Sequence, residues 1–158
     1  MSFEYFEKKH TNIEEKLIKE QGQDVCRQII SKHYINLQTK DYDFGFIHKI
    51  NVAQIGQTRS RKTTSTTRVS SFILCKVHPI FEEIDINLVC SRPNSKDGKK
   101  LIELVAQKAL ELKFKYLSLL SIGNSKLVAW YKSQGFEVIS EKTYPDGSLK
   151  AYSMKKRL

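Results

Sequence analysis

Asp85 to Leu112 holds the densest set of residues able to do chemistry. It reads Asp85-Ile-Asn-Leu-Val-Cys90, then Ser91-Arg-Pro-Asn-Ser-Lys-Asp-Gly98, then a run with helical spacing from Lys99. This pattern predicts a short apolar strand entering a polar loop, which opens directly into an amphipathic helix with Asp97 placed as its cap. The unpartnered N–H groups of a first helical turn, together with the positive end of the helix dipole, stabilise an anion at such a junction. Arg92, Lys96, Lys99 and Lys100 add mobile positive charge around the same point. Phosphate binding is the chemistry these residues suit. An ordinary strand-to-helix connection with solvated lysines fits them as well, so the surrounding elements must decide.

Composition narrows the classes. The 158 residues are 40% apolar and 28% charged, as expected of one globular domain spanning 1–158 with a real core. Apolar runs stay near five residues, against roughly 20 for a membrane-spanning helix, and the first residues lack a basic-then-apolar leader pattern. An intracellular protein, cytoplasmic or nuclear, is expected. Cys26, Cys75 and Cys90 stand singly in apolar contexts and the four histidines are scattered, so reduced core thiols and no structural metal are expected. The net charge of +10 arises after Asp43: residues 44–81 carry six Lys/Arg and no Asp/Glu, and residues 82–158 carry fourteen against nine. Such a surface attracts polyanions, whether a nucleotide cofactor, nucleic acid or an acidic protein.

The elements that must position the loop follow from periodicity. Phe3–Tyr5 suits a short strand. Ile13, Leu17, Ile18, Val25, Ile29 and Ile30 mark two helices, or one broken at Gly22. Segments 42–52 and 69–77 read as two strands of a hairpin whose polar tip carries Arg59, Arg61, Lys62 and Arg68, either as a phosphate grip or as a solvated loop. Phe81–Cys90 is a third strand. In a regular strand it would present Glu82, Ile84, Ile86 and Leu88 on one face and Glu83, Asp85, Asn87 and Val89 on the other. Leu101, Leu104 or Val105, Lys108 or Ala109, and Leu112 make the next helix amphipathic. Tyr116–Ile122 is a buried strand, Asn124 caps a short helix over 125–134, and Gly135 ends it. Strands at 136–141 and 149–154 close the chain around the turn Tyr144-Pro-Asp-Gly-Ser148. The expected fold is α+β, a mixed and mostly antiparallel sheet flanked by helices with a strand–loop–helix–strand crossover in its middle.

This succession resembles the GNAT superfamily of acyl-CoA-dependent N-acetyltransferases over nearly the whole chain. The most specific match is Asn124-Ser-Lys-Leu-Val-Ala-Trp130-Tyr131-Lys-Ser-Gln-Gly135-Phe136, similar to the family's Asn-x-x-(apolar)-x-x-(aromatic)-Tyr-x-x-x-Gly-Phe segment. It begins 26 residues beyond Gly98-Lys99-Lys100-Leu101, which fits the last glycine of the family's acyl-CoA loop and the Lys-x-Leu after it. Lys96 stands at the place of that loop's middle glycine and Pro93 at its leading Arg/Gln, with Arg92 one residue early.

The resemblance implies acetyl-CoA as co-substrate and direct attack of an amine on its thioester. In the family a carboxylate on the central strand relieves the amine of its proton and a tyrosine protonates the departing thiolate. Carried over, the tyrosine is Tyr131 and the carboxylate falls at Glu82, with Glu83 and Asp85 adjacent. The resemblance also puts main-chain groups of Leu88 and Cys90 and the side chain of Asn124 along the pantetheine arm. Arg92, Lys96, Gly98, Lys99 and Lys100 fall around the pyrophosphate. A second function class stays open: a GNAT-like domain without catalysis, binding nucleic acid or a larger assembly through its basic surface.

Overall fold

The computed structural model describes residues 2–9, 12–27, 30–55, 63–93, 95–122, 125–143, 145 and 150–158, with the backbone alone at 53–55 and 63–65. In chain order these form β1 (Phe3–Glu7), α1 (Ile13–Val25), α2 (Lys32–Gln38), β2 (Phe44–Ile55) and β3 (Thr63–His78). A single 3-10 turn, Pro79–Phe81, leads to β4 (Glu83–Ser91), and then come α3 (Asp97–Glu111), β5 (Tyr116–Ile122), α4 (Ser125–Ser133), β6 (Glu137–Thr143) and β7 (Lys150–Arg157). The strands make one seven-stranded sheet in the order β1-β2-β3-β4-β5-β7-β6. Only β4 and β5 run parallel, because α3 crosses between them, and every other pair is antiparallel. The α+β class and the central crossover are as expected.

Helices cover both faces. One face carries α3 and α4, where Leu101, Ile102, Val105, Val128 and Tyr131 pack on Phe46, Ile73, Ile84, Ile86, Leu117 and Met154. The other carries α1 and α2, where Ile18, Val25 and Ile35 pack on Ile47, Val69, Phe72, Leu74 and Leu88. The helical break falls after Val25, and Gly22 lies inside α1, buried where a side chain would press on Ile35 at 3.3 Å. Asn12 starts α1 by accepting from Glu15 N at 3.1 Å, and Ser31 starts α2 by accepting from Tyr34 N at 3.1 Å.

Three expectations need correction. The central strand is not regular: Leu74 pairs with Leu88 and Cys75 with Ile86, so Asn87 is a β-bulge. The bulge reverses the alternation, sending Ile84 and Ile86 to the α3/α4 core but Leu88 and Cys90 to the α1/α2 core. The cysteines are not all reduced, because that reversal brings Cys90 to the end of α1, where it is disulfide-bonded to Cys26. Cys75 is the free thiol, fully buried, and burial raises its pKa well above the ordinary value. Third, β3 begins at Thr63, so much of the polar hairpin tip is strand. Arg59, Arg61 and Lys62 lie outside the described residues, and Arg68 is exposed on β3.

Candidate active site

A gap in the sheet is the feature on which the site is built. β4 and β5 pair from Glu83 and Tyr116 as far as Ile86 and Leu119, yet β4 continues to Ser91 and β5 to Ile122. Past the bulge, therefore, the β5-facing edge of β4 has no strand partner among the described residues. The bulge is held open from the side by Asn87, whose Nδ2 donates to the Asp41 carbonyl at 3.0 Å. Leu88 and Cys90 lie on this stretch with their side chains buried against α1, so what they present to the gap is main chain. Across the gap, Ser121 of β5 is 2% exposed and its Oγ has no hydrogen-bond partner among the described residues. A buried hydroxyl left unpaired costs about 1–3 kcal/mol, so a ligand that reaches it regains that amount.

The loop after β4 carries the charge. Lys96, Lys99 and Lys100 are exposed, with no ion pair among the described residues. Arg92 is less free: its Nε donates to the Val69 carbonyl at 2.8 Å, and burial and then the nearby Arg68 charge hold its pKa below the ordinary guanidinium value. Lys96 has φ of +57°, the left-handed region that glycine adopts without strain. The expected cap is also corrected here. Lys96 is the N-cap and contributes no side-chain bond, while Asp97 is the first helical residue and turns its carboxylate into the sheet. Gly98 and Lys99 N–H then have no partner among the described residues.

Opposite the loop stands α4. Its end is a Schellman closure: Phe136 N donates to the Tyr131 carbonyl at 3.1 Å, Gly135 N to Lys132 at 3.0 Å, and Gly135 takes φ of +98°. The apolar contact that accompanies this closure is Tyr131 on Phe136, with ring centroids 5.9 Å apart. The spacing Tyr-x-x-x-Gly-Phe is thus first a helix terminator, and the same termination fixes the Tyr131 ring. Tyr131 is 7% exposed, and burial raises its pKa to about 12. Its neighbour Trp130 meets the loop, since a side chain at Gly98 would lie 3.3 Å from the indole. The Gly98 and Tyr131 motifs are joined by this contact. Asn124 lies outside the described residues.

The carboxylates separate. Glu82, in a left-handed turn before β4, is exposed and reaches Lys115 at 3.3 Å, so the fold does not bring it to the gap. Glu83 and Asp85 share the face of the sheet opposite Tyr131, beside a pocket of about 360 Å³ whose walls include His78, Ser118, Ile139 and Lys155. Glu83 Oε2 lies 3.2 Å from Lys155 Nζ, unaligned for a hydrogen bond. Asp85 accepts from Ser118 Oγ at 3.0 Å, and burial raises its pKa despite that bond. Asp85 stands two residues before the bulge. Sequence reasoning missed Ser121 as a candidate; a lone serine in an apolar strand carries a weak signal, and only the parting of the strands gives it meaning.

No protein-family profile and no curated sequence matches this chain. Solved structures do. A protein described as an acetyltransferase of the GNAT family from Desulfovibrio desulfuricans superposes with a TM-score of 0.71 at 9% identity, over 99% of both chains. The ribosomal-protein-S18-alanine N-acetyltransferase from Escherichia coli superposes at 0.61 and 14%, over 99% of this chain and 94% of that one. The chain has the GNAT fold. An aminoglycoside 6'-N-acetyltransferase complexed with coenzyme A is similar at a TM-score of 0.64 and 8% identity, over 99% and 97% of the two chains. In this GNAT fold the parted strands are β4 and β5, and the helices on either side of the gap are α3 and α4.

Proposed function

We propose that this chain is an N-acetyltransferase that moves an acetyl group from acetyl-CoA to a primary amine by direct attack in a ternary complex. The observation that carries the reading is the unpaired edge of β4 beyond Ile86, which opens between an uncapped helix start and a buried tyrosine. An extended amide-bearing arm such as pantetheine suits an open strand edge, where main-chain groups near Leu88 and Cys90 pair with it as another strand would. The orphaned Ser121 hydroxyl fits the same occupant. Gly98 and Lys99 N–H, with Lys96, Lys100 and Arg92, take the pyrophosphate. The solved relative with coenzyme A bound supports this choice of co-substrate.

The bound thioester supplies an electrophilic carbonyl and a thiolate leaving group. The amine approaches from the opposite face, through the pocket beside Glu83 and Asp85. Asp85 takes its proton, because it is the carboxylate nearest the bulge and burial raises its pKa above the ordinary carboxylate value. Formation of the C–N bond breaks the C–S bond; the Tyr131 hydroxyl, kept protonated by its pKa of about 12, donates to the sulfur, and the second proton lost by the nitrogen passes through solvent to restore the tyrosine. Glu83 stays beside Asp85 and helps to attract a cationic amine, while Glu82 serves the turn with Lys115.

Thermal melting with and without acetyl-CoA tests this. A ligand at about 100 times its dissociation constant adds roughly 2.7 kcal/mol. An unmoved melting temperature at millimolar acetyl-CoA would sink the proposal. One further reading has its own support. Lys96 in place of a loop glycine, and the paired charges of Arg68 and Arg92, suit a catalytically silent domain on nucleic acid. Binding of RNA or DNA that weakens steeply with salt, without any acetyl-CoA shift, would favour it.

A further inference from the structure

The start of α3 carries a buried charge that the reaction above leaves unused. Asp97 is 5% exposed, and its Oδ2 alone accepts three hydrogen bonds: from His48 Nδ1 at 2.9 Å, Ser70 Oγ at 3.0 Å and Ser71 Oγ at 2.8 Å. Consecutive strand residues normally point to opposite faces. Ser70 and Ser71 reach the same oxygen because the pairing slips there, His48 with Ser71 and Lys49 with Val69, which leaves Ser70 as an extra residue. His48 is 4% exposed and its other side rests on the Phe3 ring, centroids 4.9 Å apart.

None of this is needed to begin a helix. An aspartate at this end stabilises the helix more simply as a solvated cap or as a first-turn charge. Burying a carboxylate is tolerated only with its hydrogen bonds made, and two strands supply them here. The consequence falls on the first turn, which is pinned to β2 and β3 and left uncapped at Gly98 and Lys99. Sharing the Asp97 charge among three donors also moderates its repulsion of an anion at the same helix end.

We infer that Asp97, gripped by His48, Ser70 and Ser71, is a positioning residue for pyrophosphate: it sets the height and rotation of α3 so that the Gly98 and Lys99 N–H groups converge on the diphosphate of acyl-CoA. This rests on the acyl-CoA reading above. The residue touches no substrate and acts through the helix start.

The test compares CoA with pantetheine, which keeps the arm and thiol but lacks the diphosphate. Trp130, the single tryptophan, lies against Gly98 and reports binding by its fluorescence. In Asp97→Asn the dissociation constant of CoA should rise about tenfold or more, while that of pantetheine stays within about twofold. Equal weakening of both ligands, or of neither, overturns the inference and leaves the acyl-CoA reading standing. Should Asp97→Asn fail to fold by circular dichroism, Ser70→Ala with Ser71→Ala removes two of the three donors and must show the same selective loss. A wild-type protein that binds no CoA overturns the acyl-CoA reading itself.

Discussion

In the proposed reaction Tyr131 serves packing and chemistry together. Its ring closes the end of α4 against Phe136, so removing the hydroxyl alone leaves that contact intact. Tyr131→Phe is expected to lower turnover by about a hundredfold or more, the usual worth of a placed acid, with acetyl-CoA affinity nearly unchanged. Equal turnover in the two proteins would confine the tyrosine to packing. With a pKa of about 12, Tyr131 should also hold activity level through about pH 10, where an ordinary tyrosine ionises. Asp85 poses the opposite problem. Burial raises its pKa, so the folded state resists its ionisation, and stability from this group falls as pH climbs from the ordinary carboxylate range through the raised value. Asp85→Asn should therefore melt higher than the parent at pH 7 but not below the ordinary carboxylate pKa, while losing most of its turnover. A variant that is both less stable at pH 7 and fully active would remove Asp85 from the mechanism. At Lys96 the left-handed backbone is the issue: Lys96→Gly should add about 1 kcal/mol of stability. It should tighten CoA if backbone approach limits binding.

Among the elements, β4 decides most. Its bulge at Asn87 precedes the unpaired edge and turns Cys90 toward Cys26. The disulfide joins residues 64 apart in sequence, and closing a loop of that length stabilises by about 4 kcal/mol in the chain-entropy account. Dithiothreitol should therefore lower the melting temperature of the parent and leave Cys26→Ser unaffected; identical curves for the parent with and without reductant would mean that the two sulfurs are not bonded in solution. Reduction should leave the sheet intact, because Leu88 and Cys90 still pair with β3 at Leu74 and Phe72. α3 and α4 act as a pair for a different reason. Gly98 admits the Trp130 indole, so a larger residue there would push the helices apart at the place where the two motifs meet.

Over the whole molecule, the two faces of the sheet carry different groups. The α3/α4 face holds Tyr131, Asp97 and the loop charges, and the opposite face holds the Glu83 and Asp85 pocket. The sheet between them is unpaired where β4 and β5 part. Much of this was legible in the residues. Alternating apolar positions and the Gly98-Lys-x-Leu and Tyr-x-x-x-Gly-Phe spacings are local signals, each read within a turn or two of backbone, so the α+β order, a helix running on from Lys99 and the helix end at Gly135 could be predicted from them. Pairing register is not local. A one-residue slip sends each following side chain to the other face, and no composition near Asn87 or Ser70 announces it. The tertiary structure alone therefore decided that Glu82 turns to Lys115 while Asp85 lines the pocket below the bulge, that Cys26 meets Cys90, and that Asp97 turns from capping α3 to anchoring it.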